Sequence, residues 1–189
     1  MWHNQGVEGE GNRSGGSGAN RRPPRPLDQE RLRELALHYV GRFATTRAKL
    51  ATYLSRKLRE RGWAGDNPPD VAELVQRLAE LGYVDDRAFG IAKAGSLTAR
   101  GFGKRRVRQA LAMAGVTEDD ATDANEIADE RASDAALRFA SRRRIGPFAA
   151  EPHDPVQREK ALAAMIRAGH DFSIARLIVD AKPGNPPEL

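Results

Sequence analysis

The residues with most chemical potential in this chain are cations around a glycine-punctuated turn: Arg100, Lys104, Arg105, Arg106 and Arg108, set about Gly101 and Gly103. The two glycines permit a tight turn and would leave N–H groups open at the start of the following helix, a favourable seat for an anion. At 100° per residue Lys104 and Arg108 share one flank of that helix. Arg105 and Arg106 take the opposite side and back, while Val107 and Leu111 face inward. Both flanks are therefore expected to be cationic, suited to a phosphate track or an acidic groove; the plain alternative is a solvated helix face. Two further groups end helices: Arg56, Lys57, Arg59 and Arg61, then Arg138, Arg142, Arg143 and Arg144. Cations there also favour the helix dipole, so a structural reading stands beside the functional one. Arg21, Arg22 and Arg25 would add non-specific affinity.

Catalysis finds no comparable constellation. His3, His38, His153 and His170 have neither metal-ligand spacing nor an obvious partner. Gly101-x-Gly103-Lys104 lacks the four-residue spacing, the Ser or Thr after the lysine and the preceding strand of a nucleotide loop. With no cysteine, a disulfide scaffold, a thiolate zinc site and a cysteine nucleophile are excluded. The reading is a non-enzyme with no metal and no cofactor.

The elements that position these cations follow from composition and patterning. Residues 1–26 are rich in Gly, Pro and Arg with almost nothing to bury, and read as a disordered tail. That stretch lacks the apolar core of a secretory signal, and no apolar run approaches the roughly 20 residues that span a bilayer. The expected address is the cytoplasm. The net charge of +5 is distributed in blocks. Arg31 to Trp63 carries nine basic and two acidic residues (+7), and Ala64 to Asp86 one and six (−5). Arg87 to Val116 carries seven and none (+7), and Thr117 to Asp134 one and eight (−7). Basic patches separated by acidic helices attract phosphate backbones or acidic protein surfaces.

After the tail the apolar spacing is helical throughout. Leu32, Leu35, Ala36, Tyr39, Val40 and Phe43 form one stripe, and Leu50, Tyr53, Leu54 and Leu58 another. Asp70, either Asp85 or Asp86, Thr117 with Asp120, and Asp154-Pro155 are start signals. Gly62, Gly82, Gly115 and Gly169 each end a run and precede a larger side chain. Left-handed glycines there would fold Trp63, Tyr83, Val116 and His170 onto Leu58, Leu78, Leu111 and Met165. Trp63 and Tyr83 thus read as clamps before base-stacking platforms. Gly62, Gly115 and Gly169 lie 53 and 54 residues apart, the mark of a repeat. The fold is all-α: three tandem three-helix repeats, 28–83, 85–130 and 133–181, forming an elongated, curved array, with a short tail at 182–189. Helices are expected near 28–42, 46–61, 70–81, 86–99, 104–114, 118–130, 134–145, 155–168 and 172–181.

Within this frame the run Gly82-Tyr83-Val84-Asp85-Asp86-Arg87-Ala88-Phe89 stands out. It is followed by Arg100-Gly101-Phe102-Gly103, Arg106-Val107, Leu111 and Gly115-Val116, and preceded by Tyr53-Leu54, Lys57-Leu58 and Arg61-Gly62. In order and spacing these resemble the RecX family, regulators of the RecA recombinase. The likeness is strong across 35–116 and moderate across 133–181. It implies a regulator without chemistry of its own, lying along the RecA–DNA filament as a monomer, with single- or double-stranded DNA phosphates as additional contacts. It further implies restraint of RecA's ATPase, strand-exchange and coprotease activities in recombination, repair and the SOS response. Two other readings compete. One is a stand-alone helix-turn-helix DNA binder, for which the candidate helix offers only Gln109 as a base reader. The other is an adaptor solenoid making no nucleic-acid contact.

Overall fold

The computed structural model describes residues 25–189; Arg21, Arg22 and nearly all of the 1–26 tail lie outside the described residues. Three helices open the chain: α1 (Gln29–Val40), α2 (Arg47–Arg61) and α3 (Val71–Glu80). Then come α4 (Asp86–Ala99), α5 (Lys104–Met113) and α6 (Thr122–Glu130), and finally α7 (Ala132–Arg143), α8 (Pro155–Arg167) and α9 (Phe172–Asp180). Among the described residues there is no sheet, only an isolated bridge between Leu27 and Trp63. The protein is all-α, a tandem array of three-helix repeats.

The helices start where short polar side chains can take up orphan N–H groups. Asp28, Thr46, Asp70 and Asp85 accept from the backbone three residues on, and Asp154 with Gln157 completes a capping box. Asp85 is thus the cap, which leaves Asp86 for another purpose. The expected helix over 118–130 begins only at Thr122. The Thr117 hydroxyl exchanges hydrogen bonds with Asp120, and that of Thr122 donates to the carbonyls of Glu118 and Asp119. Side chains of this kind compete with the helical ladder and hold residues 118–121 as turns. Gly90 and Gly95 do not interrupt α4. Gly90 and Ala94 instead let it approach α6, where a Cβ on Gly90 would meet that of Ala124 at 3.5 Å.

Three of the four expected glycine closures form as six-to-one hydrogen bonds: Tyr83 N–H to Leu78, Val116 N–H to Leu111 and His170 N–H to Met165. Leu97 and Phe102 close α4 in the same way across Gly101, and Ala140 and Ile145 close α7 across Arg144. Arg144, at φ 54°, is the one non-glycine with positive φ among the described residues. Two expectations need correction. Gly62 has the expected positive φ of 80° but ψ 173° instead of a left-handed helical value, and Trp63 is held by the bridge to Leu27 rather than by a bond to Leu58. The Tyr83 backbone closes the turn, but its ring remains 55 % exposed instead of folding onto Leu78.

Each triplet has its own apolar cluster. Leu32, Leu50, Leu54 and Leu78 anchor the first, Leu97, Val107 and Leu111 the second, and Phe139, Met165 and Ile178 the third. The loop from Pro147 to Pro155 is tied down at its start. Its first residues form a 3-10 turn (Gly146–Phe148) under α9, and Gly184 N–H donates to the Pro147 carbonyl.

Candidate functional site

The glycine turn that carries the central cations is the joint between the second and third triplets. Gly103 N–H donates to the Ala168 carbonyl at 3.0 Å and Arg105 N–H to that of Gly169 at 3.1 Å. These are N–H groups of the α5 start that the sequence reading left open for an anion; here the α8–α9 turn uses them. A ring nitrogen of His170 lies 3.2 Å from the Gly101 carbonyl, and Phe139 packs against the imidazole. The first and second triplets meet in the same manner. The Thr46 hydroxyl donates to the Ala114 carbonyl at 2.5 Å, and the α5–α6 turn at Gly115 lies against Ala48. In both joints the start of a second helix docks on the glycine turn that ends the next triplet's second helix.

The first joint has a second fastening, built on a buried carboxylate. Asp86, whose side chain is 2 % exposed, accepts from the backbone N–H and from Nε of Arg47. The same guanidinium reaches Asp120. Arg47 was not singled out from sequence, although its place directly after the Thr46 cap was a signal for a residue fixed by both backbone and side chain.

The joints decide which predicted cations are available. Lys104 bridges Asp171 at 2.8 Å and Asp129 at 3.2 Å, and Arg108 pairs with Asp129 at 3.1 Å. The hydrogen bonds that its ammonium donates to Asp171 and then to Asp129 push the Lys104 pKa upward. This flank of α5 is neutralised, so the expectation of two cationic flanks is corrected to one. Arg105 and Arg106, on the other side, have no ion-pair partner among the described residues, and Arg106 holds Gln109 by a side-chain hydrogen bond. Arg142 lays its guanidinium against the turn at Gly101, next to Arg100. Arg100 and Arg143 lie over the rings of Phe102 and Phe139 at 5.3 and 5.6 Å. Arg100, Arg105, Arg106, Arg142 and Arg143 therefore gather at or beside the second joint, and Arg144 ends the same helix. Arg56 and Lys57, by contrast, share Glu60, and Arg61 donates to the Arg25 carbonyl. Arg59 completes that separate group at the end of α2.

His170 makes the second joint sensitive to acid. The side chain is buried, and burial lowers its pKa below the usual 6.5; the hydrogen bond with the Gly101 carbonyl and the nearby Asp171 oppose this more weakly. Above about pH 6.5 both folded and unfolded states hold it neutral. As the pH falls below that value the unfolded chain takes up the proton first, so stability is lost. The urea midpoint of the natural chain is expected to drop between about pH 7 and about pH 5.5 by more than that of His170→Gln. Parallel curves for the two would remove His170 from the account.

No group of three or more His, Cys, Asp or Glu side chains among the described residues is placed to hold a metal. Among the described residues no helix is long and apolar enough to cross a membrane. Stacked triplets joined turn on turn, with arginines crowding one joint, define a tandem three-helix repeat protein of cationic surface chemistry. Residues 85–124 match the family model for the second three-helix domain of RecX. The chain is 34 % identical over 173 residues to the regulatory protein RecX of Myxococcus xanthus (strain DK1622), covering 85 % of this chain and 90 % of that one. It is 32 % identical over 157 residues to regulatory protein RecX of Deinococcus radiodurans, covering 82 % and 72 %. Among solved structures it is similar to RecX from Lactobacillus salivarius, with a TM-score of 0.57 at 18 % identity over 79 % of this chain and 93 % of that one. A second crystal structure of regulatory protein RecX gives 0.58 at 21 % identity, over 80 % and 71 %. The chain belongs to the RecX family of regulatory proteins.

Proposed function

We propose that this chain binds the RecA–DNA filament and restrains RecA, without catalysis of its own and as a cytoplasmic monomer. The triplets 28–83, 85–130 and 133–181 act as its units. The observation that carries the reading is the group Arg100, Arg105, Arg106, Arg142 and Arg143 about the second joint, without ion-pair partners among the described residues. Unpaired cations on a packed joint keep their spacing, which suits a partner of regularly repeated negative charge. Membership of the RecX family supports the reading of RecA as that partner. The helix-turn-helix alternative has only Gln109 as a base reader on this helix, and its side-chain oxygen accepts from Arg106.

The test is single-stranded-DNA-dependent ATP hydrolysis by RecA with this protein added below stoichiometry. The expected result is a fall in rate. Arg105→Glu with Arg143→Glu should raise the concentration for half-inhibition about tenfold, because each exposed charge reversal removes an attraction and adds a repulsion. An unchanged ATPase rate with intact filaments rejects the reading, and unaltered inhibition by the double variant rejects the site. Reversing Lys104 and Arg108 would test folding instead, since glutamates there would face Asp129 and Asp171.

A further inference from the structure

The first joint opens on its outer side into two neighbouring clefts that share Lys49. One, of about 440 Å³, is lined by Tyr39, Tyr53, Arg56 and Met113 among others. The other, of about 630 Å³, is lined by Phe43, Tyr83, Phe89 and Lys93 together with Thr45 and Asp85. Their apolar groups are unusually open: Phe43 is 54 % exposed, Tyr83 55 % and Met113 80 %. The sequence placed Phe43 on a buried stripe, but α1 stops at Val40 and turns its ring outward. Tyr39 stacks on Tyr53 at 4.2 Å, and Phe43 leans on Tyr39 at 5.3 Å. Aromatic faces and cations alternate here. The Lys49 ammonium lies 4.6 Å over Phe89, and the Arg56 guanidinium 5.7 Å from Tyr53.

Charge and polarity point to the occupant. Lys49 and Lys93 have no ion-pair partner among the described residues. Asp85 is the one acid lining either cleft, and its carboxylate is occupied in capping α4. Thr45, 6 % exposed and lining the larger cleft, has a hydroxyl without a hydrogen-bond partner. Interleaved rings and unpaired lysines in an open groove are the chemistry that holds unstacked bases and their phosphates. A duplex keeps its base faces stacked and offers these rings nothing. An acidic protein segment would use the lysines and leave the rings idle.

We propose that the clefts at the first joint bind single-stranded nucleic acid directly, bases stacking on Phe43 and Tyr83 and phosphates meeting Lys49 and Lys93. The site is distinct from the arginine group at the second joint, and it deepens the DNA contact of the filament reading while standing without RecA. The test is anisotropy of a short fluorescein-labelled oligothymidylate titrated with the full chain, against an abasic oligonucleotide of equal length. Oligothymidylate should bind at least fivefold more tightly than its abasic counterpart, because a stacked base contributes about 1–3 kcal/mol. Phe43→Ala should lose about fivefold or more, Phe43→Trp should retain binding, and Lys49→Gln with Lys93→Gln should flatten the salt dependence. Circular dichroism verifies that each variant is folded, which the exposure of these side chains favours. Equal affinity for the abasic strand, or Phe43→Ala binding like the natural chain, overturns the proposal. So does a polyglutamate peptide that displaces the oligonucleotide equally from the natural chain and from Phe43→Ala. RecA inhibition persisting after any of these outcomes would leave the filament reading intact.

Discussion

Gly103→Ala is expected to destabilise the protein by about 3 kcal/mol and to loosen the third triplet from the second. The backbone at Gly103 has φ −78° and ψ 168°, which alanine adopts without strain. The cost is therefore steric. A Cβ there would come within 3.0 Å of the Gly169 carbonyl and the His170 nitrogen, neither of which is a flexible side-chain end that could swing away. Relief requires the two turns to separate. That weakens the bonds from Gly103 to Ala168 and from Arg105 to Gly169 and disturbs the buried His170 contact. Overpacking costs about 1–3 kcal/mol and each hydrogen bond about 1 kcal/mol, so the sum stands well above the roughly 0.5 kcal/mol of a neutral surface change. Gly95→Ala is the control: it lies inside α4 with only the end of Arg131 near its Cβ, and should stabilise by about 0.5–1 kcal/mol. Urea unfolding followed by circular dichroism measures both. A Gly103→Ala midpoint equal to that of the natural chain would show that the joint yields freely.

Arg47→Ala is the second large effect, expected at about 2 kcal/mol, and it acts on the other joint. Removing the guanidinium leaves the Asp86 carboxylate buried with only the Arg47 backbone N–H for company. Breaking a fully buried pair costs about 3–5 kcal/mol; the lower figure here reflects an Arg47 side chain that is 38 % exposed and partly screened by water. Asp120 loses the same partner but is more open to solvent. Arg47→Ala combined with Asp86→Ala should cost less than the sum of the two single changes, since neither then leaves a charge stranded. Additive losses would mean that the pair does not couple the triplets. Arg87→Ala, which breaks an exposed pair with Asp123, offers a comparison in which little should change.

Both predictions concern contacts that sequence patterns could not display. The helices themselves were legible: apolar stripes at helical spacing and side-chain caps such as Asp70 and Asp154 are local signals, and the observed ends fall close to those expected. The exception, the late start of α6, follows from threonine and aspartate hydroxyl and carboxylate bonds that mimic a helix start without building one. The cations of the candidate site were visible as residue types, but their availability was not. Lys104 and Arg105 are adjacent in sequence, yet one is held between two aspartates from other helices and the other has none. Gly101 makes the tight turn expected of it, at φ 75°. The small size of Gly103 serves instead the α8–α9 turn far along the chain, and that pairing has no local trace. Phe43 fitted the stripe of α1 by spacing alone, and only the end of that helix at Val40 turns it outward.

The turn at Gly62 occupies the place in the first triplet that Gly115 and Gly169 occupy in the others, where an earlier unit would dock. There Leu27 N–H donates to the Gly62 carbonyl, and Ala64 N–H to that of Leu27. The incoming strand thus seals the socket with its own backbone. Head-to-tail growth through this joint, the route by which a heterologous contact builds open fibres, would first have to break these two bonds. The first triplet thus caps its own end of the array from within the same chain, using main-chain bonds rather than a separate capping unit.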